Sequence, residues 1–539
     1  MASRKKAAKA AKRAKSALPA KKQASKKNVV KKAASKSKTA SKSTVAAARG
    51  GTVSAGKVKV IEAEQIQIHY LDEAYQFSKA RRVATIHRRK ILPKAPKGPK
   101  IMDINPTPPL SMDAPVSPVA LEEAIQPMAL TDIITMTRNV QLGDISTHDT
   151  ASHVCEPSAA ANADVVFYTG NWFAAVSVDS GASFKYIDPF TSFPNPPGMD
   201  FCCDQVVHYI KSIDTFVWLL QYKADNTGKN IQRIAYAKTA KVKTGVWKFY
   251  NITPASLGLG AGIWLDFPDL AVGTNMLYMS TNCFRGNNWV ASAIARIKLT
   301  SFTNDVLSAS KSVSNQIGSL RVAQHCGTTG YFVGHASTSA LRVFSWKESS
   351  ATPTSKLVNV ASWSNTNYSS TVPDGRDWLK RADSRHTGAT LAGNELWFAW
   401  GSAKGGANAR PHAFVQIARI NATSITLIEN INLWDPGFAI FYAALSTNSN
   451  NEVGTSYTIG GAQRFPTHVI GILTGTKRQV TTFTSTRGPS DNKWGDYLTV
   501  RRSYPNQKLF CATGYSLQNG AGMMDATPSY TVFGRSSDV

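Results

Sequence analysis

The chain has 539 residues, a length that allows several domains, and a net charge of +28. The basic excess lies at one end, because residues 1–100 contain 28 Lys and Arg against 4 Asp and Glu, whereas residues 101–539 contain 34 against 30. The sequence has neither the run of about 18 apolar residues that a transmembrane helix needs nor the apolar stretch of a secretory signal peptide near Met1, so we expect a cytoplasmic or nucleoid- or nucleus-associated protein.

Residues 1–56 form a low-complexity segment rich in Lys, Ala and Ser, without an aromatic or acidic side chain. Such a segment cannot bury enough apolar surface to offset its loss of conformational entropy, so we predict a disordered tail. Its composition resembles that of linker-histone tails. Two roles fit it: a solubilising tail, and an arm for DNA, RNA or another polyanion, in which lysines displace condensed counterions.

Residues 57–101 are a second basic segment, and over residues 62–84 their apolar side chains, such as Ile66 and Tyr70, recur at helical spacing. The pattern predicts a partly helical segment. It either contacts nucleic acid or a membrane surface or packs against the folded domain. Residues 102–144 are rich in proline and predict a linker or an extended strap.

From residue 145 to 539 the pattern changes to short β-branched and aromatic runs separated by Gly, Asn, Asp and Ser, which is typical of an all-β domain. Similar units recur with separations of 48 to 62 residues, and they begin at Glu156, Asp204, Asp266, Gln324, Asp383, Tyr442 and Asp496. Each unit holds enough sequence for a four-stranded sheet. The repeat predicts a single β-propeller of about seven four-stranded blades, although six or eight blades also fit the spacing.

One short motif in the first repeat is distinctive. Ser177, Asp179, Gly181, Ser183 and Phe184 fit the pattern S-x-D-x-G-x-[ST]-[WF], which resembles the Asp box of the sialidase-like, BNR-repeat propellers. The resemblance implies a tight turn between the two outer strands of a blade, with the aromatic ring packed inward. Asp boxes occur in hydrolases and in non-enzymatic binding proteins, so this motif predicts a fold and not an activity.

The resemblance also implies what a sialidase would need: three arginines for the substrate carboxylate, with the first in an F/Y-R-I-P motif, a Tyr–Glu nucleophile pair and an Asp acid. The Arg-Ile pairs of this chain, at Arg296 and Arg419, lack the proline and lie late in the sequence. We therefore predict a binding protein whose axial face recognises a glycan or protein ligand. The alternative is an exo-acting glycoside hydrolase that uses axial carboxylates.

The candidate site follows from propeller geometry, since the first residues of each innermost strand surround one mouth of the central channel. The predicted ligand-binding residues are Asp204, Asp266, Asp269, Asp383, Arg385, His386, Trp494, Asp496 and Arg501. If the site is catalytic, the candidates are Asp204, Asp266, Asp496 and Tyr497. The competing interpretation is that these groups only satisfy one another and the backbone amides at blade junctions.

Six cysteines are few for this length, and no His or Cys spacing is typical of a zinc site, so we predict neither a metal nor another cofactor. The adjacent Cys202 and Cys203 fit either a vicinal disulfide or redox pair, or two small apolar residues of a buried strand. The second interpretation is the one the sequence favours.

Overall fold

The computed structural model describes residues 53–73, 133–148, 150–152, 154–366, 368–405, 410–518 and 525–539. Nearly all of the predicted basic tail, and most of residues 57–144, lie outside the described residues. The predicted polyanion-binding role of residues 1–100 therefore stays a prediction.

The described residues form an all-β propeller of seven blades, which confirms the predicted fold class. Three strands precede the repeats: β1 Val53–Lys57, β2 Glu64–Gln67 and β3 Ile134–Gln141. Blade 1 contains β4 Ser158–Asn162, β5 Val165–Gly170, β6 Phe173–Ser177 and β7 Lys185–Ile187. Blade 2 contains β8 Phe201–Ile210, β9 Thr215–Tyr222, β10 Gln232–Lys238 and β11 Val246–Ile252. Blade 3 contains β12 Ile263–Val272, β13 Met276–Arg285, β14 Asn288–Lys298 and β15 Ala309–Ser314.

The second half of the chain repeats this arrangement. Blade 4 contains β16 Arg321–Val322, β17 Thr329–Ser337, β18 Ala340–Lys347 and β19 Thr354–Asn359. Blade 5 contains β20 His386–Ala392, β21 Glu395–Ser402, β22 Phe414–Asn421 and β23 Thr426–Leu433. Blade 6 contains β24 Ala439–Thr447, β25 Val453–Gly461, β26 Arg464–Ile472 and β27 Arg478–Thr484. Blade 7 contains β28 Val500–Arg502, β29 Phe510–Leu517 and β30 Ala526–Arg535, with β3 as its outer strand.

The seven innermost strands form a closed ring, in which each contacts the next and β28 contacts β4. The ring is closed by pairing of sequence-distant strands, because β3 pairs with β30. The folded domain therefore takes in a strand upstream of residue 145. Two short helices are described, α1 Thr239–Thr244 and α2 Ser301–Asn304, besides the 3₁₀ turns Lys211–Ile213 and Ser536–Asp538. No helix in the described part of the chain is long and apolar enough to cross a membrane.

The segment 53–71 runs along the outer edges of three blades. β1 pairs with β15 of blade 3, β2 pairs with β11 of blade 2, and Leu71 exchanges backbone hydrogen bonds with Tyr186 of blade 1 at 2.7 and 2.8 Å. The helix predicted over residues 62–84 was wrong for its described part. Ile66, Ile68 and Tyr70 also alternate with period two, and an outer strand with unpaired backbone groups favours the extended form.

The core lies between blades. Phe167 of blade 1 packs against Trp218 and Trp247 of blade 2, with ring centroids 5.0 and 4.8 Å away. Nine of the 12 tryptophans are buried, so most of them fill the gaps between blades and are not available to stack on a ligand.

The motif at residues 177–184 forms the turn between β6 and β7. The Asp179 carboxylate accepts hydrogen bonds from the amides of Ala182 at 3.0 Å and Ser183 at 2.9 Å. Gly181 has a φ of +80°, and a Cβ there would lie 2.8 Å from the Tyr530 ring of blade 7. Phe184 also packs against Tyr530, at 6.3 Å between centroids. The turn thus joins the first blade to the last.

Candidate functional site

The innermost strands of four blades are irregular close to where they begin. The register shifts between Phe201 and Gln205 in β8, between Asp266 and Asp269 in β12, between His386 and Gly388 in β20 and between Phe441 and Ala444 in β24. Glu156, Phe267 and Tyr442, at this same end, have left-handed backbones with φ of 47°, 52° and 62°. Bulges and left-handed residues redirect side chains, and both are common beside functional sites.

The irregular strand starts present a group of partly exposed charged side chains, which we call the carboxyl face. It consists of Asp204, Asp266, Asp383, Arg385, Lys493 and Asp496. These residues come from four blades, and they interact with one another at one end of the ring of innermost strands. The structure thus brings carboxylates from different blades close together at one end of the ring, where the repeat pattern predicts them. Their role in binding a ligand stays a prediction.

Arg385 is held in place from three sides. Its Nε donates to the Asp383 carboxylate at 2.8 and 3.0 Å, and its Nη2 lies 3.0 Å from Asp496. The guanidinium also lies over the Phe267 ring, 4.4 Å from its centroid. The side chains of Arg385 and Asp496 are 19% and 17% exposed, so the ion pair is fixed and still reachable from solvent.

Glu156 lies directly beneath this face and is itself buried. It accepts hydrogen bonds from Asn171 Nδ2 at 2.7 Å and from the Asp496 amide at 3.1 Å. The charge of Asp204 also acts on this carboxyl group. After burial and the charge of Asp496, it raises the pKa of Glu156 and favours its protonated form.

The carboxyl groups of the face differ in acidity. Burial, followed by the charges of Asp266 and Asp496, raises the pKa of Asp204 to about 7. Burial raises the pKa of Asp266 to about 6 although Arg385 opposes the shift, and burial raises the pKa of Glu156 well above its usual value. Burial acts the same way on Asp496, but Arg385 and Lys493 outweigh it and lower its pKa to about 2. Protonated and ionised carboxyl groups therefore lie side by side near pH 7.

Five of the predicted site residues are buried instead: Asp269, Tyr497, Trp494, His386 and, at a different place, Arg501. Asp269 is 1% exposed, pairs with Arg321 of blade 4 at 3.3 Å and accepts the Val322 amide at 2.9 Å. Tyr497 donates to the Gln205 carbonyl at 3.4 Å, and Trp494 stacks on Tyr515 with centroids 4.5 Å apart. Asp269 and Tyr497 thus join blades, as the competing interpretation expects, whereas Trp494 packs on Tyr515 of its own blade.

His386 is the fourth. It is fully buried between blades 4 and 5, where its ring stacks on His335 with 4.1 Å between centroids. Neither of its ring nitrogens has a hydrogen-bond partner among the described residues. Burial and the neighbouring His335 lower its pKa well below the usual value, so the ring is neutral and packs as an aromatic group.

Arg501 belongs to a different place. It lies in β28 and lines a cavity of about 510 Å³ at the opposite ends of the innermost strands. We call this cavity the basic pocket, and its side chains include His208, Lys211, Gln324, His325, Arg501 and Arg502.

Cys202 and Cys203 are joined by a disulfide within the β8 bulge, immediately before Asp204. Both are partly exposed, which corrects the favoured interpretation of two apolar residues entering a buried strand. The bulge explains the difference, because it takes these residues out of the regular, buried part of the strand. The other four cysteines are buried and unpaired with one another. Among the described residues, no group of three His, Cys, Asp or Glu could hold a metal ion.

The predicted site omits three residues that this end of the ring contains: Glu156, Tyr442 and Lys493. The repeat pattern could have identified two of them, because Glu156 and Tyr442 are the first residues of their repeats. Asp204, which was predicted, has the same position in its repeat. Lys493 precedes its repeat by three positions and had no such signal.

No family model matches the chain, and no curated protein matches it. Among solved structures, an α-L-arabinofuranosidase from Fusarium graminearum with an iminosugar inhibitor is 10% identical, with 75% of this chain and 99% of that chain covered and a TM-score of 0.38. The phage phi92 endosialidase is 7% identical, with 74% and 69% covered and a TM-score of 0.37. The Trypanosoma rangeli sialidase with the inhibitor DANA is 10% identical, with 58% and 53% covered and a TM-score of 0.34. At these values the similarities carry no argument about what this chain binds.

Proposed function

We propose that the carboxyl face binds a glycan or a similar polyhydroxylated ligand. The observation that carries the proposal is the fixed, partly exposed Arg385–Asp496 pair beside two carboxyl groups with raised pKa values. Sugar hydroxyls both donate and accept hydrogen bonds. Ionised carboxylates accept from them, while a guanidinium, an ammonium and a protonated carboxyl donate to them.

The arrangement is suited to binding because it is formed before the ligand arrives. Asp383 and Phe267 fix the Arg385 guanidinium, and Glu156 fixes the backbone of Asp496. A ligand then does not have to order these side chains, and the entropy loss on binding is smaller. The other partner predicted from the sequence is a protein ligand. The same face would then accept hydrogen bonds from its backbone amides and donate hydrogen bonds to its backbone carbonyls.

Glycoside hydrolysis is the second candidate, and the difference in acidity favours it. A carboxyl group with a pKa of about 7 at Asp204 suits a general acid that protonates the leaving glycosidic oxygen, and Asp496, with a pKa of about 2, stays ionised. The bond between the anomeric carbon and the glycosidic oxygen would break, water would add to the anomeric carbon, and one of its protons would return to the Asp204 carboxylate. Binding alone does not require two carboxyl groups of such different acidity.

A screen of the full chain against glycan arrays and chromogenic glycosides tests both candidates. We expect binding that Asp204→Asn and Asp496→Asn each weaken by roughly 10-fold or more, since each removes one charged or proton-donating contact. The control is Asp164→Asn, which changes an exposed carboxylate on the turn after β4 that pairs with Lys243.

Turnover that Asp204→Asn abolishes would establish the hydrolase. Binding without turnover supports recognition alone. If neither sugars nor glycosides interact with the chain, the proposal is wrong and a protein ligand takes its place.

The basic residues 1–100 complete the proposal. With 28 Lys and Arg against 4 Asp and Glu, they would attach the protein to DNA, RNA or another polyanion. Attachment would hold the propeller close to ligands on the same structure and raise their effective concentration without any new contact.

A further inference from the structure

The basic pocket lies at the other end of the innermost strands and shares no residue with the carboxyl face. Its walls come from blades 1, 2, 3, 4 and 7, and its volume of about 510 Å³ is within the roughly 300–1,000 Å³ range of small-molecule sites. Lys211, Arg501 and Arg502 give it positive charge. None of its described lining residues is an aspartate or a glutamate.

Arg501 has an unused donor. The residue is 6% exposed, its Nη1 donates to the Val500 carbonyl at 3.2 Å and its Nε to the Val207 carbonyl at 3.5 Å. Its Nη2 has no hydrogen-bond partner among the described residues. The nearby Asp269 pairs with Arg321 at 3.3 Å and acts on Arg501 through its charge. Buried guanidinium groups are normally paired with an anion. Arg501 lines the pocket and leaves Nη2 unpaired and shielded from solvent, so a ligand in the pocket gains this donor when the guanidinium turns towards it.

His208 has an unused acceptor on the same wall. It is 4% exposed, and its Nε2 is shielded from solvent and has no hydrogen-bond partner in the described part of the chain. Burial, followed by the charge of Arg501, lowers its pKa well below the usual value. The ring is therefore neutral, and in the tautomer that carries its proton on Nδ1 the unpaired Nε2 can accept a hydroxyl proton.

The remaining basic side chains are fixed around these two. Arg502 donates from Nε to the Thr447 carbonyl and from Nη2 to the Asn448 carbonyl, both at 3.0 Å. His325 Nε2 lies 2.8 Å from Ser446 Oγ. Lys211 is exposed at the rim. The pocket thus combines one free cationic donor, one free neutral acceptor and two further positive charges.

We propose that the basic pocket is a second ligand site, which takes a small oxyanion that also carries hydroxyl groups. The oxyanion pairs with Arg501, and a neighbouring hydroxyl donates to His208 Nε2. A phosphate ester and a carboxylate both supply this chemistry, and a sugar phosphate or a sugar acid has the size of the cavity. The site is independent of the glycan site proposed for the carboxyl face.

Calorimetric titration of the full chain at constant ionic strength tests the proposal, with glucose 6-phosphate, glucuronate, glucose and inorganic phosphate as probes. We expect at least one of the two anionic sugars to bind, and the stronger of them to identify phosphate or carboxylate as the preferred anion. Glucose and inorganic phosphate each lack one half of the recognition, so we expect them to bind at least roughly 10-fold more weakly.

The variant Arg501→Met should weaken binding of the anionic sugar by about 10-fold or more, because it removes the free donor and the charge. Arg342→Met is the matched control, since Arg342 is a partly buried arginine of β18 outside the pocket and should leave the affinity unchanged. If Arg501→Met does not fold, Lys211→Glu at the exposed rim decides the matter, and we expect it to weaken binding by roughly 3-fold or more.

Three results would overturn the proposal. The first is that the wild-type chain binds neither anionic sugar. The second is that Arg501→Met, or Lys211→Glu in its place, binds them as tightly as the wild type does. The third is that Asp496→Asn on the carboxyl face abolishes their binding. If the anionic sugars bind to the basic residues 1–52 instead of the pocket, Arg501→Met will not weaken their binding. That outcome is therefore the second of these results.

Discussion

The two ends of the innermost strands have opposite chemistry although they are only a few residues apart in sequence. β8 has Asp204 near its start and His208 four residues later, and blade 7 has Asp496 five residues before Arg501. At about 3.3 Å per residue, each strand crosses from one chemistry to the other within roughly 13–17 Å. The carboxyl face collects four acids, of which Asp204 and Asp266 have raised pKa values, and the basic pocket collects cations without a carboxylate among its described lining residues. Buried side chains lie between the two ends, among them Asp269, which pairs with Arg321.

The largest effect should come from removing the cation that holds the carboxyl face together. Arg385→Met leaves Asp383 and Asp496 without their partner, so we expect the free energy of unfolding to fall by about 3 kcal/mol and glycan binding to disappear. Urea unfolding followed by tryptophan fluorescence measures the first effect.

The matched control is Arg376→Met, whose pair with Asp374 lies in a more exposed position. It should change stability by less than about 1 kcal/mol. Equal losses in both variants would contradict the role of Arg385 as the organising group.

Asp204→Asn should increase stability at neutral pH while it weakens ligand binding. The folded-state pKa of about 7 lies above the usual 3.8, so the stability that the protonated carboxyl contributes is complete below pH 4 and is lost as the pH rises to 7. The asparagine variant has no such loss. We expect no difference from the wild type near pH 4 and a gain of roughly 1–3 kcal/mol at pH 8.

Asp496→Asn should show the opposite sign. The pKa of Asp496 is lowered to about 2, so its contribution to stability is present above pH 4 and is lost as the pH falls towards 2. The asparagine variant should therefore be less stable than the wild type at pH 7. Thermal unfolding of both variants at pH 4 and 8 makes the comparison, and pH profiles of the same sign would contradict the assigned acidities.

The disulfide should affect one end only. Replacing both Cys202 and Cys203 by serine frees the β8 bulge next to Asp204, where the Cys202 carbonyl accepts the Trp172 indole at 3.1 Å. We expect glycan affinity to fall by roughly 10-fold, because small displacements of positioned groups have effects of this order, and sugar phosphate affinity to stay unchanged. Loss of both affinities would mean that the disulfide supports the fold in general.

The smallest effect on either site should come from deleting residues 1–52. Binding of small ligands at both ends should not change, whereas binding to a short DNA or RNA duplex should be lost. With the full chain, duplex affinity should fall at least roughly 100-fold between about 50 and 200 mM salt. A flat salt dependence would reduce the segment to a solubilising tail.

Much of the carboxyl face could be predicted because it follows from a repeat. Asp204, Asp266, Asp383 and Asp496 begin units of similar length, and units of similar length place their first residues at the same end of a ring. The same argument could have predicted Glu156, because it begins the first repeat. Asp269 and Trp494 lie only a few positions away and are nevertheless buried, because a bulge or a turn decides which side chains face solvent.

The outer strands of the first segment show a different limit. Residues 64–70 contain both a helical and a strand-like spacing of apolar residues, and the choice between them depends on whether a partner strand is available. That partner, β11, is about 180 residues further along the chain. Local sequence could not contain this information.

The sequence by itself determined the fold class, the blade length and the end of the ring at which the acids gather, because these follow from periodicity along one chain. Only the tertiary structure decided which carboxyl groups take up protons, since their pKa values depend on burial and on charges from other blades. Only the tertiary structure, too, produced the basic pocket, whose His208, His325 and Arg501 are brought together from three different blades. Periodicity records what each blade repeats, whereas a site between blades depends on side chains that do not repeat.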